Sequence, residues 1–162
     1  MLFRKAELRW RSACPSAGRA MAADTPPSGA GAAGWRLAPG NEFLDLVGPL
    51  WARKEGDGWA YGLQTKPHHA NGRAIVHGGL LVTLADNALG MTVWEATGRQ
   101  PAVTMQLNTH FLATAQPGDF IEARAEILRR TRSVVFVRGV LSVGDRPILA
   151  ADGIWKLLNS GG

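Results

Sequence analysis

The stretch IVHGGLLVTLADNALGMTVW, Ile75 to Trp94, decides the fold of this chain. Its apolar residues occupy nearly every side of a helical projection, so it predicts a long helix that must be covered all round. Two features do not fit a purely structural helix: the stretch opens with His-Gly-Gly, and it carries Asp86 near its middle. A carboxylate in an apolar helix is costly unless it is hydrogen-bonded or has a chemical task. We therefore expect this segment to form both the centre of the fold and part of a functional site.

Strands are predicted on both sides of this helix. Upstream, the turn-rich residues 55–58 separate Trp51–Lys54 from Trp59–Thr65 and predict a β-hairpin, and NEFLDLVGPLW, from Asn41, predicts a short amphipathic helix. Downstream, four segments have the period-two alternation of strands: VTMQLNTHF, FIEARAEIL, SVVFVRGVLSV and ILAADGIWKLL. In the first segment, the alternation places Val103, Met105, Leu107 and Phe111 on one face and Thr104, Gln106, Asn108 and His110 on the other.

The predicted order of two strands, one long helix and four strands defines an α+β domain. A curved antiparallel sheet of about six strands would wrap the central helix, and a second subunit could cover what the sheet leaves open. We expect the domain to cover residues 35–162. Residues 1–34 have the basic, Pro-, Gly- and Ala-rich character of an extension and linker, either disordered or a targeting segment.

The composition disfavours several classes of protein. The net charge is +5, but residues 1–20 carry a surplus of four positive charges, so the rest does not indicate a nucleic-acid-binding domain. The single cysteine, Cys14, excludes an internal disulfide framework. No run of about 20 uncharged apolar residues predicts a membrane span. These features favour a cytoplasmic protein, or a mitochondrial one if the basic N-terminal segment is a transit peptide.

The two glycines at the start of the predicted helix could form an oxyanion site. A helix N-terminus presents unpaired N–H groups, and Gly78 and Gly79 lack side chains that would keep a ligand away. A tight turn without a ligand is the alternative interpretation. Asp86 lies eight residues after Gly78, about 12 Å along one helix and too far to act on the same carbonyl. Two antiparallel helices would bring Gly78 of one subunit opposite Asp86 of the other, which predicts a homodimer with shared active sites.

The motif H-G-G-x6-D on an apolar helix, preceded by two strands and followed by four, resembles the hotdog-fold acyl-CoA thioesterases. The similarity is to the phenylacetate-pathway (PaaI-like) type, which is related to the 4-hydroxybenzoyl-CoA thioesterases, and it covers about residues 40–158. It implies a hotdog fold and hydrolysis of acyl-CoA without a metal or a cofactor. It also implies a homodimer, which can pair into a homotetramer.

The resemblance further implies roles for five residues. The Gly78 N–H would polarise the thioester carbonyl, His77 would hold that turn, and Asp86 would act as general base or as nucleophile. Asn71 and Thr104 match positions where similar thioesterases carry residues that position the water or the carboxylate. Some relatives have glutamate in place of Asp86; the shorter aspartate is compatible with the route through water, and the sequence does not decide between the two roles.

Substrate contacts are predicted at two further places. Gly79, beside the polarising N–H, would contact the substrate. The basic turn LRRTRS, Leu128 to Ser133, matches the region where similar thioesterases contact the CoA phosphates. Arg132 and Ser133 are the candidates there, because a guanidinium group suits phosphate geometry. A solvated basic turn is the alternative interpretation.

The adjacent His68 and His69 raise the question of a metal site. No cysteine and no ligand spacing accompany them, so we predict that both are polar loop residues near the mouth of a pocket. No metal or cofactor is predicted elsewhere.

Two other functions are compatible with the same fold. One is a non-catalytic module that binds acyl-CoA, and the other is a hotdog enoyl-CoA hydratase or dehydratase. The combination of Asp86, Asn71 and Thr104 favours the hydrolase, because a binding module has no need of a water-activating acid. The acyl group cannot be inferred from the sequence.

Overall fold

The computed structural model describes residues 34–38 and 42–158. The elements in those ranges are β1 (Arg36–Leu37), α1 (Glu42–Val47), β2 (Leu50–Glu55), β3 (Gly58–Gln64), α2 (Gly78–Ala96), β4 (Ala102–Phe111), β5 (Phe120–Arg130), β6 (Val134–Val143) and β7 (Arg146–Leu157), with a 3-10 turn at Pro67–His69. The strands form one antiparallel sheet in the order β1-β2-β3-β5-β6-β7-β4, so β1 and β4 are its two edges. The sheet packs against α2, which confirms the predicted α+β architecture.

The helix α2 forms the centre of the core because one side of it packs on the inner face of the sheet. Its fully buried residues are apolar and recur at helical spacing: Leu81, Leu84, Ala85, Ala88, Leu89 and Val93. A glycine on β6 allows the close approach, since a Cβ at Gly139 would lie 2.8 Å from Leu89 Cδ1. The side of α2 that carries Asp86 is only partly buried within the protomer.

The hairpin predicted before α2 is confirmed. β2 and β3 pair with Glu55 opposite Gly58, so two residues form the turn. The predicted short helix is also present as α1, which places Leu44 in the core. Its predicted N-cap, Asn41, lies outside the described residues.

The strand β1 is a seventh strand that the alternation pattern did not predict. It pairs with β2, with Arg36 opposite Ala52, and its two residues are too few to show a period. The residue before it, Trp35, is 6% exposed and forms a second small core on the outer face of the sheet. The other members of that core are Trp51, Ala60 and Phe120.

The alternation predicted for β4 is wrong at its beginning, because a β-bulge interrupts the strand. Val103 pairs with Lys156 and Thr104 with Trp155, but the register shifts between Thr104 and Gln106. The extra residue, Met105, turns Thr104 to the inner face of the sheet, although strict alternation placed it on the polar face. The four polar residues predicted to share one face therefore do not share it.

The predicted boundary between extension and domain lies at residues 34 and 35. Trp35, the first residue of the predicted domain, is buried, whereas residues 1–33 of the extension predicted at residues 1–34 lie outside the described part of the chain. None of the helices in the described ranges is long and apolar enough to span a membrane.

Candidate active site

The N-terminus of α2 leaves one backbone donor open. His77 is the N-cap residue, and its Nδ1 accepts a hydrogen bond from the Gly79 N–H at 2.9 Å. The Gly79 donor is therefore used by the cap. No acceptor for the Gly78 N–H is found among the residues that the structure describes. Because a helix N-terminus carries partial positive charge, this N–H is suited to an oxygen that gains negative charge.

An aromatic ring lies beside this open donor. A Cβ placed on Gly78 would lie 3.1 Å from the Phe111 ring, so that ring closely approaches the first turn of α2. Phe111 ends β4 and is 56% exposed in the protomer. A substrate oxygen bound at Gly78 would thus have an apolar wall next to it.

The carboxylate of Asp86 is held from the adjacent edge strand. The Thr104 hydroxyl donates a hydrogen bond to Asp86 Oδ1 at 2.8 Å. The bulge at Met105 makes this contact possible, because it turns the hydroxyl inward. Asp86 is partly buried, and its Oδ2 has no hydrogen-bond partner among the described residues. The second oxygen is thus available to a water molecule.

The open N–H and the carboxylate are separated along α2. Gly78 and Asp86 are eight residues apart, which corresponds to about 12 Å of helix rise. With Val82 between them, they recur at intervals of four residues and so lie along one side of α2. That side faces β4, as the contacts to Phe111 and Thr104 show. The protomer thus has the two predicted groups on one side but too far apart for one carbonyl.

Asn71 occupies a short turn before α2. Its Oδ1 accepts a hydrogen bond from the Arg73 N–H at 2.8 Å, and its backbone N–H donates to the Ile75 carbonyl. The flanking residues Ala70 and Val76 form an isolated antiparallel bridge. Asn71 therefore lies at the end of a closed turn, six residues before His77.

His69 is buried, which corrects the prediction that it is a polar residue near the mouth of a pocket. It is 7% exposed, and its Nε2 lies 2.7 Å from the Val47 carbonyl oxygen. Its Nδ1 accepts a hydrogen bond from the Lys66 N–H. Burial is the main cause that lowers the pKa of His69 below its usual value. Its neighbour His68 is exposed and packs edge-on against the His69 ring.

Arg132 and Ser133 lie in the turn between β5 and β6, at the opposite end of α2 from Gly78. The turn is closed by Thr131, whose hydroxyl donates to the Val134 carbonyl at 2.9 Å. Arg130 connects this region to the helix end, since its Nη1 donates to the Ala96 carbonyl. The structure therefore separates these two predicted CoA contacts from the Gly78 N–H of the same protomer. In residues 34–38 and 42–158, no cluster of three or more His, Cys, Asp or Glu side chains could hold a metal ion.

Comparison with known proteins identifies the family. Residues 74–150 match the model of the thioesterase superfamily. The protein PA0474 of Pseudomonas aeruginosa, named as a candidate esterase, is 32% identical over 117 residues, which cover 71% of this chain and 87% of that protein. The chain belongs to the thioesterase superfamily. The predicted class of enzyme, a thioesterase, is thereby confirmed at the level of the family.

Other relatives and solved structures agree with this assignment. Human acyl-coenzyme A thioesterase 13 is 27% identical over 74 residues, which cover 46% of this chain and 53% of that enzyme. A mutant of the phenylacetic acid degradation protein PaaI from Thermus thermophilus superposes with a TM-score of 0.66 at 21% identity, over 73% of this chain and 100% of that one. A Bacillus halodurans protein solved with CoA superposes with a TM-score of 0.59 at 26% identity, over 68% and 74% of the two chains. These similarities confirm the predicted hotdog fold and the PaaI-like resemblance.

Proposed function

We propose that this chain hydrolyses acyl-CoA thioesters to a free acid and CoA, as a homodimer with shared active sites. Each site would combine Gly78 of one protomer with Asp86 of the partner subunit. Two relatives support the substrate class: acyl-coenzyme A thioesterase 13 is named for this activity, and the B. halodurans structure contains CoA.

One observation carries the proposal of a shared site. The open Gly78 N–H and the Asp86 carboxylate, oriented by Thr104, lie on one side of α2 but about 12 Å apart. Chemistry at one carbonyl needs both groups within a few ångströms of the reacting atoms. In a homodimer with antiparallel α2 helices, Asp86 of each protomer would lie beside Gly78 of the other.

The exposed edge strand supports the same dimer. Val103, Met105 and Phe111 on β4 are 47%, 63% and 56% exposed. Unpaired edges that carry large apolar residues associate readily unless they are covered. A second copy at this edge would cover these side chains and bring the two α2 helices close together. Pairing of such dimers into a homotetramer stays a prediction, as does the cytoplasmic location.

The chemistry of the proposed site follows from these groups. The thioester carbonyl oxygen accepts a hydrogen bond from the Gly78 N–H, at the positive end of α2. The partner subunit's Asp86 takes a proton from a water molecule as the water oxygen attacks the carbonyl carbon. Negative charge then moves to the carbonyl oxygen, where the helix terminus stabilises it. When the tetrahedral intermediate collapses, the C–S bond breaks and the CoA thiolate takes up the proton held by the partner subunit's Asp86, which regenerates the carboxylate. Direct attack by Asp86 is the alternative route.

The substrate has an apolar end and a highly charged end, which suggests its orientation. The acyl group would lie beside the Phe111 ring, because it is the apolar part next to the carbonyl. The basic turn of the partner subunit would lie about 15 Å beyond its Asp86, since Ala96 follows ten residues later. The extended pantetheine arm of CoA spans a distance of this order. The nucleotide phosphates would then meet Arg132 and Ser133, while Asn71 would position the water.

The substitution Asp86→Asn tests the catalytic assignment. Release of CoA from a panel of aryl, phenylacetyl and medium-chain acyl-CoA esters is followed with a thiol reagent. We expect kcat to fall at least about 10²-fold, the lower end for loss of a general base, while calorimetry shows that CoA still binds. The matched control is Asp152→Asn, since Asp152 is an exposed carboxylate hydrogen-bonded to Asn108, and it should retain the wild-type rate.

Three outcomes would contradict the proposal. Unchanged kcat in Asp86→Asn would remove the role of the carboxylate. Tight binding of acyl-CoA without release of a thiol by the wild-type protein would favour a binding module. Conversion of an enoyl-CoA to its hydroxy product, again without free CoA, would favour a hydratase.

A further inference from the structure

The buried ring of His69 connects two segments that precede α2. Its Nε2 donates to the Val47 carbonyl at 2.7 Å, at the end of α1, and its Nδ1 accepts from the Lys66 N–H at 3.0 Å. These two contacts fix the tautomer, because a neutral imidazole has one donor and one acceptor. The ring also packs beside Gly48, where a Cβ would lie 3.7 Å from its Cε1. The side chain is thus held at both nitrogens in a buried position.

The backbone of the same residue holds the cap of α2. The His69 carbonyl accepts a hydrogen bond from the His77 N–H at 2.8 Å. His77 in turn accepts from the Gly79 N–H through its Nδ1, so its position determines how the first turn of α2 is capped. A continuous series of hydrogen bonds therefore runs from the end of α1, through His69 and His77, to the turn that presents the Gly78 N–H.

We propose that His69 is a positioning residue, which sets the place of the Gly78 N–H through the loop of residues 66–77. This inference rests on the proposed role of Gly78 in polarising the carbonyl. His69 itself does not touch the substrate. Its effect is on the transition state, because a donor displaced by even part of an ångström stabilises the developing oxyanion less well. CoA binding at the basic turn is remote from this loop and should be little affected.

Histidine meets a requirement here that no other neutral side chain meets in full. An amide also carries a donor and an acceptor, but Gln places its amide nitrogen near the position of Nε2 and Asn places its amide oxygen near that of Nδ1, so each is expected to reproduce one of the two contacts. Leu fills the space with neither contact. The three substitutions His69→Gln, His69→Asn and His69→Leu therefore form a graded series. The adjacent and exposed His68 supplies the matched control, His68→Leu.

The experiment measures kcat and KM for acyl-CoA hydrolysis by the full-length chain, well below the unfolding temperature of each variant. We expect His69→Leu to lower kcat at least tenfold with KM changed less than threefold. We expect His69→Gln or His69→Asn to recover part of the loss, and His68→Leu to match the wild type. Amide hydrogen exchange gives a second readout: His69→Leu should speed exchange of the His77 and Gly79 N–H groups.

The inference would be overturned if His69→Gln and His69→Leu lower the unfolding temperature but leave kcat of the folded protein at the wild-type value. It would also be overturned if exchange at His77 and Gly79 stays unchanged. Asp86→Asn, measured in parallel, separates this failure from failure of the proposed function. An inactive Asp86→Asn beside a fully active His69→Leu refutes only the role of His69, whereas an active Asp86→Asn refutes the site.

Discussion

The two edges of the sheet are built in opposite ways. At one edge, β1 is only two residues long, and charged side chains lie over the neighbouring strands: Arg124 bonds to both Glu55 and Glu122, and Arg53 stacks 4.6 Å from the Trp35 ring centroid. At the other edge, β4 is ten residues long and exposes Val103, Met105, Phe111 and Thr104. A short edge with charged neighbours discourages pairing with another chain, whereas a long apolar edge invites it.

This difference indicates where stability and function reside. In the charged cluster at the β1 side, Arg124 hydrogen-bonds to Glu55 and Glu122, neither of which is a predicted site residue. The β4 side contributes both Thr104, which binds Asp86, and Phe111, which packs at Gly78. We therefore expect substitutions that remove the β4 contacts with α2 or the exposed apolar side chains of β4 to change rate or assembly, and substitutions at the β1 side to change only stability.

The largest effect is expected from a charge placed on the exposed edge strand β4. Met105→Lys would force a desolvated ammonium into the proposed dimer interface. We expect the molecular mass from light scattering to shift towards that of the monomer. We also expect kcat to fall about a hundredfold, because each Gly78 would lose the Asp86 carboxylate of the partner subunit. Leu37→Lys, at a similarly exposed position on β1 (56%), is the matched control and should change neither quantity. A fully active dimer of Met105→Lys would show that β4 is not the interface.

A smaller effect is expected from the hydroxyl of Thr104. Thr104→Val keeps the shape but removes the hydrogen bond to Asp86, and a bond to a charged group contributes about 1.5–3 kcal/mol. We expect kcat to fall roughly tenfold or more, with little change in KM. Thr104→Ser should stay within about threefold of the wild type, because it keeps the donor. Thr109→Val, on the same face of β4, should have no effect; equal losses at both positions would indicate general damage to the strand.

The smallest effect is expected at the β1 side of the sheet, where a substitution should change stability only at acidic pH. Hydrogen bonds from Arg124, with a further contribution from Arg53, lower the pKa of Glu55 to about 2. Because this folded-state pKa lies below the ordinary value of 4.5, the stabilisation is complete above pH 4.5 and is lost as the pH falls towards 2. Glu55→Gln should therefore flatten the decline of unfolding free energy in that window, measured by urea unfolding, without changing kcat at neutral pH. A steeper decline in the variant would contradict this assignment.

Much of the fold could be predicted from the sequence because its main elements have strong periodic signals. The apolar residues of α2 and the alternation of β5, β6 and β7 extend over ten or more residues each. β1 has two residues and so no period, and it forms because Trp35 finds an apolar surface on strands distant in sequence. The bulge at Met105 leaves no trace in the alternation, since the chain continues as a strand on both sides.

The candidate site was predictable only in part. The residues alone indicated Gly78, Asp86 and their separation, and the family resemblance added Asn71 and Thr104. The burial of His69 could not be inferred, because His68 and His69 have the same chemistry and only the contact with α1 distinguishes them. The approach of Phe111 to Gly78 is likewise a tertiary contact, between the end of β4 and the start of α2, and no local sequence pattern predicts it.

Complementation between two inactive variants tests the shared site most directly. Asp86→Asn and Gly78→Val are each expected to be inactive as homodimers, and they are mixed after reversible dissociation. If each site combines Gly78 of one protomer with Asp86 of its partner, every mixed dimer regains one intact site, so an equal mixture should recover about one quarter of the wild-type activity per chain. If both groups act within one protomer, the mixture should remain as inactive as its components, which would contradict the shared site.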